Sequence, residues 1–242
     1  MPPNPSEAIL DLREFANSRE LPIPGYLEQL YWWAYVRPNA VRVFDRKWLI
    51  NAILFGNYGR LRDAALNELG ETIQGKTLQI ACVYGDLTAR LRERMTPAAQ
   101  LDVVDILPVQ LENLRIKLPT DGRVALLRGD ASALASADAR YDQVLLFFLL
   151  HEMPEDVRRA TLGEAMRVLK PGGKLVIVDY HRPVRLHPLR PLMNQVFRHL
   201  EPYASDLWDH EIAHFIPVGN QPSTTLKQSF FGGLYQKLVL TR

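Results

Sequence analysis

The chain has 242 residues, 47% of them hydrophobic, enough to bury a substantial core as one domain plus an extension. Its 29 basic and 27 acidic residues are interspersed and leave a net charge of +2, so there is no electrostatic case for a nucleic-acid partner. The single cysteine, Cys82, excludes an intrachain disulfide and a cysteine-based metal cluster, and fits a reducing, cytoplasmic compartment.

The start, Met1-Pro2-Pro3-Asn4-Pro5, lacks the basic-then-apolar pattern of a signal peptide, and no apolar run approaches the ~20 residues that span a bilayer. Residues before Leu21 are polar with scattered helix formers. Leu21-Pro22-Ile23-Pro24-Gly25 reads as a stiff, extended entry, because proline restricts its predecessor too. Tyr26 to Val36 then concentrates Tyr26, Tyr31, Trp32, Trp33 and Tyr35. That cluster is consistent with helical core packing, with an aromatic lid over a flat apolar ligand, or with an edge resting on a membrane interface. Apolar spacing from Ala40 to Leu54 predicts a helix, and a further helix runs to Leu69 and stops at Gly70.

From Thr77 onward the pattern alternates. Strands are expected at Thr77 to Val83, Leu101 to Asp105, Val124 to Arg128, Tyr141 to Leu149 and Lys174 to Asp179. Helices are expected at Leu87 to Met95, Pro108 to Lys117 and Pro154 to Val168, the last stopped by Lys170-Pro171-Gly172-Gly173. Such alternation predicts an α/β, Rossmann-like, doubly wound and mostly parallel sheet. Residues 1–73 read as a helical N-terminal extension or lid, and 74–242 as the ligand-binding domain. A helical cap lies at about 184–220, followed by a strand pair around Gly232-Gly233.

The turn Val83-Tyr84-Gly85-Asp86 organises the chain. A strand that turns tightly into a helix aims backbone N–H groups and a helix N-terminus at one spot, and glycine permits the required close approach. Asp105 ends the next strand about twenty residues on, the spacing at which an acid reaches a ribose hydroxyl. Asp130 follows the third strand, again at a strand end. In the methyltransferase-like sheet that the whole pattern resembles, strands 4 and 5 are neighbours, which implies that His151 and Glu152 lie beside Asp179 and His181. That group suits either a divalent ion or a hydrogen-bonding network. Asp206, Asp209, His210 and His214 have spacings compatible with one face of a helix; with His199 they read as an exposed polar face of the cap, with reach over the pocket as the alternative.

These features, with the Lys-Pro-Gly-Gly turn before strand 5, resemble the class I S-adenosylmethionine-dependent methyltransferases, whose seven-stranded sheet has an antiparallel last strand. The resemblance covers about residue 60 to the end. A narrower resemblance spans nearly the whole chain. Tyr31-Trp32-Trp33-Ala34-Tyr35, the Trp48 helix, Ala81-Cys82-Val83-Tyr84-Gly85-Asp86, Phe147 to Glu152, Val178 to Pro183 and Phe231 to Gln236 are similar to the rhodoquinone-biosynthesis, methyltransferase-like family. It implies replacement of a ubiquinone ring methoxy group by an amino group, with S-adenosylmethionine as nitrogen donor and a divalent ion, manganese, as Lewis acid. It also implies a lipophilic quinone as partner and work at the inner face of the cytoplasmic membrane.

On this resemblance, cofactor contacts are expected at Gln79, Ala81, Val83, Tyr84 and Gly85, and at Asp105, Ile106, Asp130, Ala131 and Phe148. Catalytic roles fall to Gln79, His151, Asp179 and His181, and metal ligation to His151, Glu152, Asp179 and His181. The chain departs from the methyltransferase motif at Gln79, where an acid is usual, and at Ala81 and Val83, where glycines are usual. A neutral amide at Gln79 would leave the amine of the cofactor free to attack. Two other readings compete. One is a conventional methyltransferase acting on a quinone or small aromatic molecule, and the other a non-catalytic quinone- or nucleoside-binding protein. The motif departures argue against the first, and the histidines and acids after strands 4 and 5 against the second.

Overall fold

A computed structural model of the chain describes residues 21–32, 34 and 37–242. The expectations for the segment before Leu21 and for Trp33, Tyr35 and Val36 fall outside those residues. After the proline-rich entry, Gly25–Leu30 forms α1. The single helix expected across residues 40–54 is split into α2 (Pro38–Phe44) and α3 (Lys47–Ile53). Arg46 takes an extended ψ of 121° between them, and the Asp45 carboxylate leaves the helix line to accept the Gly85 N–H at 2.8 Å. A tertiary contact, invisible to periodicity, breaks this helix.

The helix α4 (Tyr58–Leu69) ends at Gly70, whose φ of 121° no other residue adopts comfortably. The alternating part then follows the expected order: β1 (Lys76–Ile80), α5 (Leu87–Glu93), β2 (Gln100–Asp105), α6 (Pro108–Lys117), β3 (Val124–Arg128), β4 (Tyr141–Phe147), α7 (Glu155–Val168) and β5 (Leu169–Tyr180). The cap contributes α8 (Arg190–His199) and short turns, and β6 (Thr224–Phe230) and β7 (Tyr235–Thr241) close the chain.

Among the described residues, seven strands form one sheet in the order β3-β2-β1-β4-β5-β7-β6. The neighbours from β3 through β5 are parallel, and β7 runs antiparallel to both β5 and β6. Alternate residues on a strand face opposite sides, so Leu175 and Ile177 join one apolar layer and Val176 and Val178 the other. The first layer packs with Leu162 and Met166 of α7, the second with Leu61 and Leu66 of α4 and Leu91 of α5. Thus α4, numbered with the extension in sequence, lies directly on the sheet.

Two strand boundaries differ from expectation. The Lys170-Pro171-Gly172-Gly173 turn is absorbed into β5, where Tyr141 pairs with Leu169 but Gln143 pairs with Lys174, so the prolyl-glycyl residues bulge from the ladder. At the other end, β1 and β4 stop earlier than the apolar runs imply. Ala81 (φ 70°) and Phe148 (φ 52°) turn the chain through the left-handed region. Each still donates its N–H to the neighbouring strand, Ala81 to Val104 O and Phe148 to Val178 O, both at 2.7 Å.

Candidate active site

Between β1 and β4 the strand order reverses, leaving a crevice beyond the carboxyl ends of the strands, where open α/β sheets place ligands. Here a cavity of about 460 Å³ opens. Its floor is built from Ala81 to Tyr84, Asp105 to Leu107, Gly129 to Ala131 and Phe147 to Leu149. Its roof comes from Tyr26, Leu27, Ile50, Ile53, Leu54 and Phe55, and one wall from Met193, Val196, Leu200 and Glu201 of the cap. Ile53 and Leu200 line it while remaining 43% and 45% exposed, so the mouth itself is apolar.

Most of the residues expected to contact a cofactor lie together. Ala81, Val83, Tyr84, Asp105, Ile106, Asp130, Ala131 and Phe148 all line the cavity. Asp105 accepts the Cys82 N–H at 2.7 Å and the Leu107 N–H at 2.8 Å. Burial raises its carboxyl from 3.8 to about 6, against those backbone donors, which favour the charged form. Asp130 Oδ1 is taken by the Ser132 N–H and hydroxyl at 2.8 and 2.7 Å. Two acids at the ends of successive strands, over an apolar floor, fit the ribose and adenine of S-adenosylmethionine.

Gln79 and Gly85 do not fit the roles expected of them. Gln79 is fully buried and outside the cavity lining, with its Nε2 donating to Ala81 O at 2.9 Å and its Oε1 accepting from Thr88 Oγ1 at 2.9 Å. Its amide props the strained Ala81 turn from behind. Gly85 is also outside the lining; a Cβ there would stand 2.4 Å from the Tyr58 hydroxyl. The turn offers its ligand fewer backbone donors than expected, because Asp105 holds the Cys82 N–H, Asp45 the Gly85 N–H, and the Tyr58 hydroxyl the Asp86 N–H.

At the inner end, His151 and Glu152 line the cavity and Asp179 backs them, fully buried. His151 Nδ1 lies 2.9 Å from Asp179 Oδ1, and Nε2 lies 3.7 Å from Glu152 Oε1. Asp179 also accepts from the N–H groups of Leu149, Leu150 and Tyr180. Burial disfavours a charged imidazole, but Asp179, then Glu201 and Glu152, outweigh it and lift His151 from 6.5 to about 9. Glu201 carried no sequence signal, being a lone acid after an amphipathic helix. Burial raises its carboxyl, with His151 acting in the opposite sense.

His181 is not part of this group. It lies one residue beyond β5, its Nδ1 2.8 Å from Gly233 O of the β6–β7 turn and its Nε2 2.8 Å from Lys227 Nζ. It lines a second cavity, with Arg60 and Trp208. Among the described residues no three His, Cys, Asp or Glu side chains are arranged to hold a metal ion. The expected set of His151, Glu152, Asp179 and His181 does not come together as a site for a divalent ion, since His181 is turned to Gly233 O and Lys227. His199, His210 and His214 are all exposed as expected, but no single helical face joins Asp206 to His214, because the helix stops at Asp209 and His210 is extended, with ψ 147°. Asp206 departs from the exposed reading by pairing at 3.0 Å with Arg158. Fully buried, Arg158 also donates to the carbonyls of Leu150, Met153 and Tyr203, tying the cap to the loop that carries His151.

Residues 77–173 match the methyltransferase domain family. Over 145 residues the chain is 30% identical to a demethylmenaquinone methyltransferase from Staphylococcus aureus (strain JH9), covering 60% of this chain and 58% of that relative's length. An O-methyltransferase family protein from Burkholderia thailandensis superposes with a TM-score of 0.65 at 20% identity, covering 98% of this chain and 68% of that one. A SAM-dependent methyltransferase from Aquifex aeolicus gives a TM-score of 0.55 at 17% identity, covering 84% and 97%. The fold is that of a class I methyltransferase. Among the described residues no helix is long and apolar enough to cross a membrane.

Proposed function

We propose that the chain is an S-adenosylmethionine-dependent enzyme that modifies the ring of a lipophilic quinone, replacing a methoxy group by an amino group as in rhodoquinone biosynthesis. One observation carries this reading: segments behind the narrower resemblance, far apart in sequence, meet at one cavity. Ala34, Ala81 to Tyr84, Phe147 to Leu149, His151, Glu152 and Tyr180 all line it. Its aliphatic roof and exposed apolar mouth suit a prenylated ring arriving from a membrane interface.

When bound, the cofactor would supply the amino nitrogen: the displaced methoxy group would leave as methanol with a proton given up by the amine, and the donor's own carbon–nitrogen bond would break to leave the amino group on the ring. Asp105 and Asp130 hold its nucleoside half, and the roof excludes water from the ring. His151 supports the chemistry as an imidazolium fixed by Asp179, donating a proton-bearing nitrogen to the ring carbonyl beside the methoxy-bearing carbon. That donation polarises the ring without a metal. The role given to Gln79 in keeping the amine neutral is dropped, because its amide is spent on Ala81 and Thr88.

A second reading, methyl transfer to a quinol ring, is favoured by the likeness to the demethylmenaquinone methyltransferase. It needs a base, so its rate would climb as His151 loses its proton. Product mass after incubation with S-adenosylmethionine and a short-chain ubiquinone or demethylmenaquinone separates the two.

A further inference from the structure

We propose that Asp45, with Lys117, is a positioning residue that makes the N-terminal helices part of the cofactor site, so that their docking and the binding shape of the β1–α5 turn are one event. The inference rests on reading that turn as the S-adenosylmethionine site. Asp45, at the α2–α3 break, accepts the Gly85 N–H at 2.8 Å and the Lys117 ammonium at 2.6 Å. Lys117, the last residue of α6, also donates to Gly85 O at 3.1 Å. Both polar groups of Gly85 are thus held by one carboxylate–ammonium pair drawn from two other elements.

The neighbouring residue is held differently. Asp86 has partners from α4 and α5, Arg62 and Arg90, each at 2.8 Å, as well as Lys47 of α3 at 2.8 Å. It keeps anchors whether or not α2 and α3 are docked. Gly85, at φ 87° and with no side chain, is the flexible point of the turn. A carboxylate from a separate segment is what restricts it. The two ends of this strap reach the cavity directly, since Cys82, Val83 and Tyr84 lie just before Gly85, and Ile50, Ile53 and Leu54 just after Lys47. Tyr84 repeats the connection by donating its hydroxyl to Ala34 O at 2.7 Å. A ligand pressed between floor and roof acts on both sides of the same hydrogen bonds.

The test is amide hydrogen exchange over residues 37–54 and 82–86, with S-adenosylmethionine titrated by calorimetry, in the parent, Asp45→Ala, Asp45→Asn and Lys117→Met proteins. Asp45→Ala should speed exchange in both segments together in ligand-free protein and weaken cofactor binding about tenfold, the scale of a lost charge-assisted hydrogen bond. Asp45→Asn keeps an acceptor for Gly85 and should recover most of that affinity. Faster exchange confined to 37–54, with the turn and the affinity unchanged, would overturn the proposal. If Asp45→Ala loses protection in β4 and β5, Lys117→Met decides, because it removes the ammonium bonds to Asp45 and to Gly85 O while sparing the carboxylate; parent-like affinity and exchange there would count against coupling. Should the parent protein fail to bind S-adenosylmethionine, the cofactor reading falls, while joint or separate exchange of the two segments still decides the strap.

Discussion

His151 and Asp179 share a hydrogen bond of 2.9 Å between Nδ1 and Oδ1, with the imidazole nearly and the carboxylate fully buried. A carboxylate in that position fixes both the ring orientation and the nitrogen that carries the remaining proton. It also decides the pH range in which the imidazole is charged. The folded value, about 9, lies above the ordinary 6.5. The stability that this pair adds is therefore complete below pH 6.5 and is lost as pH rises through about 9. Amination should follow the same descending limb. Asp179→Asn should move that limb toward acid by more than one pH unit, read from the rate profile and from imidazole chemical shifts, whereas a limb unmoved by Asp179→Asn while the imidazole shifts move would detach it from His151.

Asp105 should govern the nucleoside half of the cofactor. Asp105→Ala should weaken S-adenosylmethionine binding by at least ~1 kcal/mol, the scale of hydrogen bonds to a charged group. In the parent, affinity should fall as pH drops through about 6, since the protonated carboxyl loses acceptor capacity toward ribose hydroxyls. Calorimetry across that range checks both, and a pH-independent affinity would remove Asp105 from the site.

Ala81 occupies a conformation that suits glycine. Its φ of 70° costs an alanine roughly 1 kcal/mol. Ala81→Gly should raise the midpoint of thermal unfolding, partly offset by the freer unfolded chain. Ala81→Val, branched at Cβ, should lower it. Equal midpoints for the three proteins would mean the turn relaxes elsewhere.

Arg158 should be structural yet felt at the catalytic end. Arg158→Ala removes a buried cation that serves three carbonyls and Asp206, and should cost about 3 kcal/mol in denaturant unfolding. Because Leu150 and Met153 flank His151, residual activity should fall even at temperatures where the variant is folded. Unimpaired turnover in folded protein would separate cap docking from His151 placement.

The sheet, and the meeting of Asp105 and Asp130 at one cavity, were legible in sequence because their signals are local. Apolar runs bounded by turn residues fix the strands, and Asp105 and Asp130 sit at strand ends whatever the tertiary details. The inner end was only half legible. Strand adjacency brings His151 to Asp179, but His181 lies one residue past β5, where the β6–β7 turn captures it. Gln79 was assigned by analogy of position, yet the partner of a buried strand side chain depends on the helix behind it, here through Thr88. Asp45 and Glu201 had no motif at all. Each is a lone acid whose role comes from a distant segment folding against it.

The most direct test of the central claim is the mass of the product formed from a short-chain ubiquinone and S-adenosylmethionine by the purified chain, with chelator-treated and manganese-supplemented arms. The expected product has one methoxy group exchanged for an amino group, formed in both arms and abolished in His151→Ala. A product carrying an added methyl group would replace amination by methyl transfer. Strict dependence on manganese with an active His151→Ala variant would contradict the role assigned to the imidazolium.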